Sequence, residues 1–165
     1  MKKCNTEIMK DIKTLEETKN DLLAFENSNC SHTYSKYEEP IVNGYDYSST
    51  KEEISKINDR VRYLKGLLAY SNVTTIVEGF NMTIGEALIY LAQLNGEKER
   101  IKRLASRKVL TRTSGGYLEN GAEYTQLEYD PEIAKQDLKT IIDLVYKLQL
   151  AIDRTNLTNM IEVKE

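Results

Sequence analysis

The sequence predicts a mainly α fold: an elongated, antiparallel four-helix bundle of coiled-coil character, with one small β-hairpin and short extended segments after helices 2 and 4. Three observations predict it. Two apolar seams repeat with a period near 3.5, the spacing that winds helices about one another: Ile54, Ile57, Val61, Leu64, Leu68 and Ala134, Leu138, Ile141, Val145, Leu148, Ile152. Thr50 with Glu53, and Thr83 with Glu86, have the spacing of capping boxes, in which each side chain satisfies the other residue's free backbone N–H. Only 2 prolines interrupt the 165 residues, so long helices are permitted, and the length suits a single helical domain over 1–165.

Taken in order, residues 5–27 form the first predicted helix, with Ile8, Ile12, Leu15 and Leu22 on one side. Asn27-Ser28-Asn29 stops it. Between 28 and 49 the period dissolves, and Tyr34, Tyr37, Tyr45 and Tyr47 gather around Pro40 and Gly44. We read that stretch as a loop or small hairpin packed across the helices; tyrosines among polar residues are also a way to build a binding surface. The second helix starts at Thr50 and ends at Ser71, because Asn72-Val73-Thr74-Thr75 breaks it, and a short strand over 75–77 follows. The third opens on the Thr83 box and runs to about residue 107, its apolar side carrying Ile84, Leu88, Leu91, Leu94, Ile101 and Leu104. Strand-like residues flank Ser114-Gly115-Gly116, which makes 108–129 a β-hairpin. Asp130-Pro131 then starts a fourth helix over 131–155, since proline lacks only an N–H that the first turn cannot use.

Composition excludes several classes of function. With 23 Lys+Arg against 26 Asp+Glu the chain is mildly acidic, which gives it no global attraction to nucleic acid. No stretch has the ~18 apolar residues of a membrane span, and no apolar segment follows Lys2-Lys3 as a secretory signal would require. A cytoplasmic protein with two reduced thiols, Cys4 and Cys30, is expected. Cys30 and His32 supply two ligands where a structural zinc wants four, so no metal or cofactor is expected. With one histidine, nucleophile–histidine chemistry has no basis, and no catalytic residue is assigned. Four Asn-x-Ser/Thr sequons begin at Asn29, Asn72, Asn81 and Asn156; without secretion they carry no glycan meaning.

A second repeat lies beyond the heptads. Shifted by 84 positions, Asn72-Val73-Thr74-Thr75-Ile76-Val77-Glu78 overlays Asn156-Leu157-Thr158-Asn159-Met160-Ile161-Glu162. The structural reading makes each Asn the left-handed stop of a helix and each Thr a bond to nearby backbone, with a short strand following. The functional reading gathers Asn72, Thr74, Glu78, Asn156, Thr158 and Glu162 around a small-molecule pocket.

The order of these features resembles a bacterial family of uncharacterised helical proteins whose genomic copies are often labelled septicolysin. The residues carrying the resemblance are Glu38-Glu39-Pro40, Asn72-x-Thr74, Thr83-Ile84-Gly85-Glu86-Ala87-Leu88 and Ile152-x-x-Thr155-Asn156-x-Thr158, spread over roughly 38–163. In that family an Arg-Asp pair follows Glu-Ala-Leu; here Ile89-Tyr90-Leu91-Ala92 stands in its place. The resemblance implies a helical fold and no activity. The toxin-like label finds no pore-forming strand pattern or amphipathic membrane helix to rest on.

The function expected from the sequence is therefore non-enzymatic: a helical module that forms homo-oligomers and docks a protein partner. The alternatives are ligand binding by the duplicated Asn-x-Thr segments and an antitoxin-like role. The latter would use the basic run Lys98, Arg100, Lys102, Arg103, Arg107, Lys108 and Arg112, which a solvated helix face also explains.

Overall fold

A computed structural model describes residues 1–39, 43–113 and 123–164. Among these the chain is mainly α, with four helices: α1 (Asn5–Asn29), α2 (Tyr47–Thr74), α3 (Ile84–Ala105) and α4 (Pro131–Thr158). Three two-stranded antiparallel sheets accompany them. They pair β1 (Lys2–Cys4) with β6 (Met160–Glu162), β2 (Ile76–Val77) with β3 (Met82–Thr83), and β4 (Leu110–Thr113) with β5 (Glu123–Gln126). The β4–β5 ribbon is the expected hairpin, although its Ser114-Gly115-Gly116 turn lies outside the described residues.

The chain divides into two units, Met1–Thr75 with Asn156–Glu165, and Ile76–Thr155. In the first, α1 and α2 are antiparallel: Asn5 meets Ser71, Glu16 meets Lys65 and Lys19 meets Asn58, so the numbers run in opposite directions. Ile8, Ile12, Leu64 and Val163 form its core, with Leu15, Val61, Leu68 and Ile161 packed around them. Four such side chains withdrawn from water contribute about 2 kcal/mol each. The segment after β6 is strapped to α2, where Arg60 Nη1 donates to the Lys164 carbonyl (2.6 Å) and the Tyr63 hydroxyl accepts from the Lys164 N–H (3.0 Å).

In the second unit Val77, Ile84, Ala87, Leu94, Leu148 and Ile152 make one cluster, and Ile101, Ala105 and Ala134 make another. Leu94 lies with Leu148 and Ile101 with Ala134, so α3 and α4 are antiparallel too. The Tyr129 hydroxyl donates to the Leu104 carbonyl (2.8 Å) and fixes the approach to α4, whose first turn is capped where Asp130 Oδ1 accepts from the Glu132 N–H (2.8 Å). The β2–β3 turn uses two left-handed residues, Gly79 (φ 83°) and Asn81 (φ 48°), the residue types that reach this region at least cost.

Several boundaries differ from the sequence expectation. Helix α2 begins three residues earlier, because Asp46 accepts from the Ser48 N–H (3.0 Å) and caps the helix before Thr50 can. Thr50 is instead buried in the first turn. Neither Asn72 nor Asn156 stops its helix: α2 continues to Thr74 and α4 to Thr158. Among the described residues the non-glycine residue with positive φ is Asn81, so a left-handed Asn at 72 or 156 does not occur. The tyrosine-rich loop forms no strand over its described residues, and Tyr34 and Tyr37 are exposed rather than packed across helices. Tyr45 alone of the loop's four is half-buried, tilted against Phe25 with ring centroids 6.5 Å apart.

Candidate functional site

The chemistry-bearing feature with the most built geometry is a polar cluster in the first unit. Asn5 follows β1 directly and occupies the seam position ahead of Ile8 and Ile12, so its side chain faces the core; it is 1% exposed. Its Nδ2 donates to Ser71 Oγ (3.0 Å) and to Asn156 Oδ1 (2.9 Å), while its Oδ1 accepts from Ser71 Oγ (3.1 Å). Ser71 Oγ also accepts from Asn159 Nδ2 (3.0 Å) and lies 3.3 Å from Thr75 Oγ1. Among the described residues every buried side-chain nitrogen or oxygen has a hydrogen-bond partner. A buried amide that meets its partners in this way restricts the pairing of its helices, since a shifted register would leave it unsatisfied.

This cluster takes up part of the sequence-predicted ligand set. Asn156 holds Asn5 through its side chain, and its carbonyl accepts from Thr6 Oγ1 (3.4 Å). Thr74 Oγ1 donates to the Tyr70 carbonyl one turn back (2.8 Å), the backbone bond that the structural reading gives it. Asn72 is half-buried in the last turn of α2 and is not a member of the cluster. Glu78 is exposed after β2, Thr158 is exposed at the last position of α4, and Glu162 is exposed on β6 opposite Lys2. Sequence reasoning missed Asn5, Ser71 and Asn159. The available signal is a polar residue at a seam position: Asn5 before Ile8, and Ser71 after Leu68.

The carboxyls with lowered pKa values belong to caps and surface pairs, while burial pushes the Tyr45 hydroxyl up. The Cys4 N–H donating to Glu7 (2.7 Å) lowers that carboxyl, and the Thr83 N–H donating to Glu86 (2.7 Å) does the same. Lys65 lowers Glu16, Lys56 lowers Glu52 and Arg100 lowers Glu97, each chiefly through a hydrogen bond to the carboxylate. Within the basic run, Arg100 is thus held by Glu97, and Lys98 Nζ donates to Asn95 Oδ1 (3.0 Å). Cys4 is buried and Cys30 exposed, both as free thiols. Among the described residues no group of three or more His, Cys, Asp or Glu side chains is placed to hold a metal ion, and no helix is long and apolar enough to cross a membrane.

No protein-family model matches the chain, and no curated protein does. Among solved structures it is similar to the crystal structure of a functionally unknown conserved protein from Corynebacterium diphtheriae. The two share 14% identity with a TM-score of 0.64, over 98% of this chain and 100% of that one. At that identity the likeness concerns the fold alone.

Proposed function

We propose that the chain is a non-enzymatic, self-associating helical module, working as a homodimer and acting through protein contact in a reducing compartment. One observation carries this reading. From Ile84 to Gly96 the only charged residue on α3 is Glu86, and the Thr83 cap engages it. That stretch nevertheless exposes Leu88, Ile89 (63%), Ala92, Gln93 and Gly96. A helix face covered by water normally interleaves charges, as α1 does with the exposed Lys10, Lys13 and Glu17. The α3 face instead has Leu88, Ala92 and Gly96 in line at four-residue spacing, which lets a partner helix approach closely. A two-fold axis lays this face on its own copy, the commonest closed arrangement for identical chains.

The ligand reading of the Asn-x-Thr segments gains less, because Asn156 and Thr74 are already engaged in internal bonds. The resemblance to the septicolysin-labelled family implies a helical scaffold and no activity.

Sedimentation velocity over a concentration series tests the proposal. A dimer is expected, and Ile89→Glu with Ala92→Glu should convert it to monomer with the far-ultraviolet helix signal unchanged. A protein still monomeric at about 1 mM, where a contact worth about 4 kcal/mol is half formed, would overturn it.

A further inference from the structure

The geometry points to a binding groove for an amphipathic carboxylate, a medium-chain fatty acid, between α3 and α4 of the second unit. The groove is open and measures about 490 Å³, within the range of small-molecule sites. Its two sides differ in chemistry. Helix α4 supplies an apolar wall, Leu138, Ile142, Val145 and Tyr146, while α3 supplies Lys98 and Lys102 one turn apart. Ile142 and Tyr146 (68% exposed) stand beyond the residues that fill the α3–α4 core, so their apolar surface is additional to what the fold uses.

Charge decides the class of occupant. Lys98 directs one donor to the neutral Asn95 amide, and neither Lys98 nor Lys102 has an ion pair among the described residues. Among the described residues Glu99 is the one carboxylate lining the groove, against Lys98 and Lys102, an excess of one positive charge. An alkyl chain laid along Ile142, Val145 and Tyr146 removes apolar surface from water on both partners, and a carboxylate head meets two ammonium groups. A neutral lipid would leave the lysines unanswered, and a cationic amphiphile would be repelled.

Calorimetric titration with dodecanoate, dodecanol and dodecyltrimethylammonium, the two ions below their micelle-forming concentrations and the alcohol below its solubility limit, reads the head group while holding the tail fixed. Dodecanoate should bind about tenfold more tightly than dodecanol, the effect of a charge-assisted hydrogen bond, and the cation least tightly. Lys98→Gln with Lys102→Gln should erase that preference. Ile142→Asn, a change at an exposed position, should weaken dodecanoate binding with the helix signal intact. Equal affinity for the three probes, binding of none, or unaltered dodecanoate binding in Ile142→Asn would each overturn the assignment. So would conversion of a dimer to monomer by Ile142→Asn, which would give the groove to a second copy. Ile89 does not line the groove, so Ile89→Glu protein should bind dodecanoate as the parent does, whether or not the parent dimerises.

Discussion

The β1–α1 junction of the first unit and the β3–α3 junction of the second are built alike as far as the cap and part company one residue beyond it. Cys4 and Thr83 each end a strand and precede a helix, and each pairs across its sheet with the first residue of a strand that follows a long helix, Met160 or Ile76. Glu7 and Glu86 bond back to the cap N–H in the same way. The next residue is Asn5 in one unit and Ile84 in the other, both 1% exposed. Three residues further on, Ile8 corresponds to Ala87, and both are wholly buried. The same backbone socket is thus closed by a hydrogen-bonded amide in the first unit and by a branched apolar side chain in the second. The apolar filling tolerates small shifts of its neighbours, whereas the amide demands Ser71 and Asn156 at hydrogen-bond distance. Polarity here fixes which residues of α1 and α2 stand level.

Carrying the first unit's amide into the second unit's socket has the harshest effect. Ile84→Asn removes a buried branched side chain and leaves an amide in the apolar cluster that holds Val77 and Ala87; a loss of about 4 kcal/mol is expected in urea unfolding. Asn5→Ala removes the amide and strands part of Ser71 and Asn156, for about 2 kcal/mol. Equal losses would show that the first unit reads burial alone and that its amide specifies nothing.

A finer test sets Asn156→Ala against Asn72→Ala. The two occupy corresponding places, each two residues before the end of its helix, yet only Asn156 holds Asn5. We expect about 1 kcal/mol for Asn156→Ala and less than about 0.5 kcal/mol for Asn72→Ala, from the same unfolding measurement. Similar losses at both positions would mean that Asn156 matters as a helix-end residue rather than as a partner of Asn5.

The smallest expected effect concerns the shared caps. The folded state lowers the Glu7 and Glu86 carboxyls, chiefly through the N–H of Cys4 and of Thr83. A lowered carboxyl means that the unfolded chain binds protons more readily, so the stabilisation is present above the ordinary glutamate value of 4.5 and is lost as pH falls through the folded value. Melting temperatures followed from neutral pH into acid should therefore fall less steeply in Glu7→Gln and Glu86→Gln than in the parent. The two variants should flatten the acid limb alike; a change in only one would separate the caps that the geometry makes equivalent.

The helices are legible in the sequence because their seams are apolar and periodic: Leu64 and Leu148 both occupy predicted seam positions and are fully buried. The Thr83–Glu86 box and the start at Pro131 are legible for a related reason, since each rests on a local bond between near neighbours. Helix ends are harder to read. Asn72 suggests a stop, but Thr74 bonds to the Tyr70 carbonyl and the helix runs on to Thr74 itself, which the propensity of one residue does not record. The box at Cys4 is hidden because its first member is a cysteine, an uncommon cap, although Glu7 supplies the backward bond. The Asn5 cluster joins residues 66 and 151 positions apart, and only the folded chain brings those together.

The pairing of β1 with β6 has a consequence for the order in which the molecule can be made. Ile76–Thr155 is one continuous stretch of chain, so every partner in that unit has been synthesised once residue 155 has emerged. The other unit is different: Lys2 waits for Glu162, and Asn5 waits for Asn156. On a ribosome, chains grow from the amino end and a domain folds when its last contact becomes available. The half translated first is thus the half completed last, with α1 and α2 held in the meantime by their own packing and by the Asn5–Ser71 bonds.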